Sequence, residues 1–249
     1  MKILSQLIII SFLFTSTKSC VAEELRIAVA SNFTTTMKLL TRKFEEKTQH
    51  SSKLIFGASG RHYAQIRNGA PFDIFLSADS ERPKRLEQEQ LIVKNSRFTY
   101  AIGKLVLWSL DSQLINQDPK ALFQNDFSHL AIANHKLAPY GKAAYQVLNQ
   151  LDLWKSIKSK TVRGENIAQT FQFVRSKNAE LGFVALSQVK ALSQIPQGSM
   201  WVVPDILYTP IKQQAVLLKE SDTASNFIRF LQSDEAKKII QNAGYGLPP

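Results

Sequence analysis

Apolar residues in this chain cluster in short runs that end on small or hydroxyl-bearing residues and then give way to helical spacing. Leu25-Arg26-Ile27-Ala28-Val29-Ala30 reads as a strand and Ser31-Asn32 as a turn, after which Phe33, Met37, Leu40 and Phe44 recur at the spacing of one helix face. Lys53 to Phe56 repeats the arrangement through Gly57-Ala58-Ser59-Gly60 into a helical pattern ending at Asn68-Gly69. A third unit runs from His129–Ala133 through Asn134 to Gly141, with Tyr140 at the start of a helix over Lys142 to Leu151 whose buried face carries Ala144, Leu148 and Leu151. In the fourth, Lys160 to Arg163 leads through Gly164-Glu165-Asn166 to a helix lined by Ile167, Phe171 and Val174.

Between these units, Pro71 to Asp79 reads as a buried strand and Arg82 to Gln90 as a helix with Pro83 tolerated in its first turn. Phe98 to Trp108 is long for a single strand, since strands rarely exceed about ten residues. A segment of that length is expected to cross from one lobe to another. Asp118-Pro119 starts a short helix, and Leu181 to Leu186 and Met200 to Val203 are further strands. Tyr208-Thr209-Pro210 then precedes a second extended crossing, Lys212 to Leu218, that is expected to return the chain to the first lobe. Two helices close the chain, one with Phe227, Phe230 and Leu231, the other with Ile239 and Ile240 and a stop at Gly244. The pattern predicts an α/β protein of two lobes, residues 23–100 with 211–249 forming lobe I and 101–210 lobe II.

Composition changes this picture little. With 249 residues, 44% hydrophobic and 20% charged, the chain belongs among ordinary globular proteins. The N-terminus changes it more. Met1-Lys2, an apolar stretch from Ile3 to Phe14 and a small-residue run ending in Cys20-Val21-Ala22 read as a signal peptide cleaved after Ala22. The sole cysteine leaves with residues 1–22, so no disulfide or thiol chemistry is expected. Lys2 and Lys18 leave as well, which takes the formal charge from +11 to +9. Lys and Arg are interspersed with Glu and Asp, and an exported protein does not meet nucleic acid, so this excess reads as solvated surface. Part of it would steer a small anion, an effect that weakens with salt.

The four turns supply candidate chemistry. A helix N-terminus leaves its first N–H groups unpaired and carries about half a positive charge, so it suits an anion. Ser59 adds a hydroxyl, and Gly57 and Gly60 allow close approach to the backbone; an N-cap role alone is the plain alternative for this serine. Donors without acceptors favour a fully deprotonated tetrahedral dianion, because a protonated ligand would leave its own donor unpaired. Phosphate would want a carboxylate, and Glu165, the only one inside these turns, reads as a charge at a helix start. Gly57-Ala58-Ser59-Gly60-Arg61 resembles a nucleophile elbow, yet Arg61 stands where the second glycine belongs. His50, His62, His129 and His135 read as surface histidines, Asp73 and Asp79 as structural carboxylates sharing one strand face, and no zinc motif is present.

Several of these segments together resemble the periplasmic molybdate-binding proteins of ABC importers: Ala28 to Phe33, Phe56 to Ile66, Gly69 to Asp79, Arg97 to Trp108, Pro139-Tyr140-Gly141, Arg163 to Gln169, Leu181 to Ala185 and Gly244 to Pro248. The likeness covers nearly all of the chain after the leader. It implies a two-lobed periplasmic-binding-protein type II fold, each lobe a mixed sheet flanked by helices and joined by two crossover segments. It also implies a monomeric carrier, not an enzyme and without cofactor, that closes on molybdate or tungstate and passes the ion to a membrane permease. Carried over turn by turn, Ser31 and Asn32 would donate from the first helix start, Ser59 through hydroxyl and backbone, and Tyr140 and Ile167 through backbone N–H groups. Metal would enter only as the oxyanion held by these residues. Some relatives place a tyrosine ligand where this chain has Ala185, and the phenol of Tyr140 is a candidate replacement. A binder of sulfate or another tetrahedral oxyanion is the alternative within the fold, and an exported serine hydrolase using Ser59 the alternative outside it.

Overall fold

A computed structural model describes residues 24–48, 50–192 and 198–248; the signal-peptide expectation for residues 1–22 lies outside them. In chain order the elements are β1 (Leu25–Ala30), α1 (Thr34–Thr48), β2 (Ser52–Gly57), α2 (Ser59–Arg67), β3 (Ile74–Ser77), α3 (Glu81–Gln88), β4 (Phe98–Gly103) and β5 (Leu105–Ser109). They continue with α4 (Lys120–Gln124), β6 (Leu130–Ala133), α5 (Pro139–Gln150), α6 (Trp154–Ile157), β7 (Thr161–Gly164), α7 (Ile167–Arg175), β8 (Leu181–Ala185) and α8 (Leu186–Lys190). β9 (Ser199–Val202), β10 (Ile211–Leu217), α9 (Asp222–Leu231) and α10 (Asp234–Asn242) complete the chain.

The strands of the described residues form two five-stranded sheets, ordered β2-β1-β3-β10-β4 and β7-β6-β8-β5-β9. In each, three strands run parallel and the fourth position is an antiparallel strand contributed by a crossing segment: β10 beside β3, and β5 beside β8. The expected α/β architecture of two mixed sheets flanked by helices is therefore present. The long apolar run from Phe98 is not one strand. It divides at Lys104, β4 belonging to the first sheet through Gly103 and β5 opening the second at Leu105, so the sheets part three residues beyond residue 101. The return crossing enters the first sheet at Ile211.

Each sheet is sealed by the helix faces that periodicity singled out. Phe33, Met37, Leu40 and Phe44 are buried on the first sheet with Phe227 and Leu231, and Ala144, Leu148 and Ile167 on the second. Helix α5 begins three residues earlier than its apolar spacing indicates, because Pro139 at its first position has φ fixed for a helix and lacks an N–H to lose. Tyr140 thereby enters the first helical turn instead of preceding it. Gly244, at φ +94°, ends the segment after α10. Asp73 and Asp79 prove to lie at opposite ends of the short strand β3. Asp73 accepts the Arg26 backbone N–H at 2.7 Å, and Asp79 pairs with Arg82.

Candidate functional site

Each of the four turns stands at the carboxyl end of a parallel strand, β1, β2, β6 or β7, where open α/β sheets place their ligands. The turns from the two sheets face one another. Ala30, Ser31, Asn32, Gly57, Ala58, Ser59, Ala78, Ala138, Pro139, Tyr140 and Ile167 enclose a common cavity of about 10 Å3, the room in which one water-sized body moves its centre. All five residues expected at the site are among them, and all five are buried. None of the lining residues carries a charge, and Glu165 is exposed outside the cavity.

Which donors remain available follows from where the others go. A helix leaves its first N–H groups without an intrahelical partner. In α7 the Asn166 side chain takes those of Ala168 and Gln169, both at 3.0 Å, leaving that of Ile167. In α2 Arg61 and His62 return to the Ala58 carbonyl and Gly60 donates to the Leu137 carbonyl at 2.9 Å, leaving that of Ser59. In α5 Pro139 has none and Lys142 returns to Ala138, leaving Tyr140 and Gly141. The Ser59 hydroxyl accepts the Ala78 N–H at 2.9 Å, so its own hydrogen is directed elsewhere.

Two side chains on the expected set serve other purposes. The Ser31 hydroxyl donates to Asn166 Oδ1 at 3.2 Å, bridging the sheets. Asn32 Nδ2 donates to Gln213 Oε1 at 2.9 Å and to the Tyr245 hydroxyl at 3.2 Å, away from the cavity. The side-chain donors of Ser31 and Asn32 are thus spent on protein partners. The phenol of Tyr140 lies against Gly103 and accepts from Gln213 Nε2 at 3.3 Å. Burial pushes the Tyr100, Tyr140 and Tyr245 phenols well up from their ordinary range, so each keeps its proton at neutral pH.

Gln213, fully buried at a register shift in β10, accepts from Asn32 and Tyr100 and donates to Tyr140, joining both lobes beneath the cavity. Sequence reasoning passed over it, because Gln213 stands between Lys212 and Gln214 and nothing in the order of residues sets it apart from them. Asn166 was also missed as a contact between lobes; its place two residues after Gly164 marks it as a cap only.

The surface reading of the histidines fails at His62, which is 2% exposed. Its ring faces the Val29 carbonyl at 3.2 Å and Gln65 Oε1 at 3.1 Å, and packs edge-on against Phe72 and Phe75. Burial lowers its pKa, against the opposing pull of the Gln65 and Val29 bonds. Among the described residues the Ser59 hydroxyl bonds to the Ala78 N–H and to no histidine. Nor do three or more His, Cys, Asp or Glu side chains gather as a cation site among the described residues, and no helix there is long and apolar enough to cross a membrane.

Residues 25–246 match the family of bacterial extracellular solute-binding proteins. The chain is 49% identical over 229 residues to the molybdate-binding protein ModA of Azotobacter vinelandii, covering 91% of each chain. It is 46% identical over 227 residues to that of Rhodobacter capsulatus, covering 90% of this chain and 88% of the relative. A solved Azotobacter vinelandii periplasmic molybdate-binding protein superposes with a TM-score of 0.86 at 41% identity, over 90% of this chain and all of the other.

Proposed function

This chain belongs to the family of bacterial extracellular solute-binding proteins, and from that membership we propose that it captures molybdate, or tungstate, between its lobes and delivers it to an ABC-type permease. The observation that carries the reading is a small cavity between the lobes lined by uncharged groups, with helix N-termini aimed at it from both lobes. Backbone N–H groups of Ser31, Asn32, Ser59, Tyr140 and Ile167 and the Ser59 hydroxyl would hold the oxygens of a dianion. The absence of a carboxylate from the lining supports an ion with no proton of its own.

Binding acts here without catalysis. The ion gains donors from both lobes only when they close, so closure is stabilised by the difference in affinity between the closed and open forms. The permease would then recognise the closed form of a monomer. We place the protein outside the cytoplasmic membrane, with cleavage after Ala22, which N-terminal sequencing of the exported protein tests.

Sulfate shares the donor preference, and cavity size is what separates it from molybdate. Titration of the intrinsic fluorescence of Trp108, Trp154 and Trp201 with molybdate, tungstate, sulfate and phosphate in turn tests the reading. Saturation by molybdate or tungstate well below the concentrations needed for the other two is expected. Tightest binding of sulfate would replace the proposal with the sulfate reading.

A further inference from the structure

Two neighbouring carbonyls of lobe II are gripped by donors of lobe I directly beside the cavity. The Leu137 carbonyl accepts the Gly60 N–H at 2.9 Å, and the Lys136 carbonyl accepts Arg82 Nη2 at 3.0 Å. Neither donor residue itself lines the cavity, yet Gly60 follows Ser59 and Leu137 precedes Ala138, both of which do. We infer that Gly60 and Arg82 form a clasp that positions the closed state and sets how long the bound oxyanion stays; the inference rests on the carrier reading above.

The geometry on each side is prepared in advance. Asp79 holds the Arg82 guanidinium in an ion pair and accepts the Arg82 backbone N–H at 3.0 Å, so the fork projects from the start of α3. Across the cleft, Asn134 shapes the turn: its side chain accepts from Lys136 N at 3.1 Å, and its carbonyl accepts from Leu137 and Ala138. Adjacent carbonyls then point outward together. Gly60 has no room for a side chain, since a Cβ there would stand 3.0 Å from the Leu137 carbonyl oxygen, 3.1 Å from Leu137 Cα and 3.0 Å from Arg82 Nη2. The two backbone obstacles belong to lobe II and the third is the far end of a flexible lobe I side chain, so the rigid part of the crowding arises where the lobes meet. Gly60 thus has its reason in the approach of backbone to backbone, and not in the approach of an anion.

A clasp between lobes acts after the ligand has entered. It therefore slows departure and leaves arrival unchanged. The nearby Lys142 and Glu81 pair, at 3.2 Å, also spans the cleft, but both side chains are more than half exposed and contribute little.

Stopped-flow fluorescence with molybdate at high salt, where steering is screened, tests the clasp on the parent, Gly60→Ala, Arg82→Ala and Lys84→Ala. Lys84→Ala removes the same charge from the exposed side of α3 and is expected to behave as the parent. Dissociation roughly tenfold faster in Gly60→Ala and Arg82→Ala, with association within twofold of the parent, supports the clasp. Thermal unfolding separates it from a structural role: the unliganded Tm of Gly60→Ala stays at the parent value while its rise on adding molybdate shrinks. Dissociation of Gly60→Ala within twofold of the parent, or an unliganded Tm that falls with no change in dissociation, overturns it. Parent protein that does not bind molybdate overturns the carrier reading and the clasp with it, whereas a binding parent with unchanged variants overturns the clasp alone.

Discussion

The hydroxyl oxygen of Ser59 accepts the backbone N–H of Ala78 at 2.9 Å, tying the turn after β2 to the turn after β3 across the end of β1. Because the oxygen is the acceptor there, the proton on that hydroxyl remains for another partner. Replacing Ser59 with alanine removes that donor and strands the Ala78 N–H. A hydrogen bond to a charged group contributes about 1.5–3 kcal/mol, so Ser59→Ala is expected to bind molybdate roughly ten- to a hundredfold more weakly by calorimetric titration. Unchanged affinity would remove this hydroxyl from the site.

Ser31 should behave differently, because its hydroxyl goes to Asn166 across the cleft at 3.2 Å. Ser31→Ala loses that bond and the longer one its oxygen accepts from the Ala168 N–H at 3.4 Å, yet keeps its backbone, so its affinity should fall less than tenfold, by about 1 kcal/mol. Asn166→Ala loses that contact and the cap of α7 together. A lower Tm, at a cost of about 0.5–2 kcal/mol in denaturant unfolding, should accompany its weaker binding. Equal losses in Ser31→Ala and Ser59→Ala would contradict the assignment.

Ile167 separates backbone from side chain. Its N–H is the donor of α7 not taken by Asn166, while its side chain is 3% exposed in the lobe II core. Ile167→Val should lose about 0.5–1.5 kcal/mol of stability through the deleted methylene, with molybdate affinity unchanged. A loss of affinity exceeding threefold would show that the side chain shapes the cavity.

Tyr140 tests whether a phenol replaces the tyrosine absent at Ala185. Its oxygen accepts from Gln213, so the phenolic hydrogen remains for another acceptor. Tyr140→Phe leaves the buried Gln213 N–H unpaired, at a cost of about 1–3 kcal/mol in stability, and should also weaken molybdate binding. Parent-like affinity in a destabilised variant would confine the phenol to its bond with Gln213.

His62 gives the protein an acid-sensitive element beneath the site. Unfolded, its ring titrates near its ordinary value of 6.5; folded, burial holds the value lower. The unfolded chain therefore takes up the proton first. The contribution of neutral His62 is complete above pH about 6.5 and is lost as pH falls from there through the lowered folded value. Urea midpoints at pH 7.5 and 5.5 should drop more in the parent than in His62→Gln. A parallel drop would assign the acid sensitivity to other groups.

Much of this was legible in one dimension because local rules govern it. The alternation of apolar runs with Ser31-Asn32, Ser59, Tyr140 and Gly164-Glu165-Asn166 marks four strand-to-helix turns, and a helix start exposes N–H groups whatever surrounds it. What local rules do not reach is pairing across the cleft. That the Ser31 hydroxyl belongs to Asn166, that the Gly60 N–H goes to Leu137 and that His62 is interior depend on residues far apart in the chain meeting when two sheets face each other. Sequence alone determined the number and polarity of the donors. Only tertiary structure decided which of them stay free for an ion, because a hydrogen already bonded across the cleft is no longer available to a ligand, and that depends on how the lobes close.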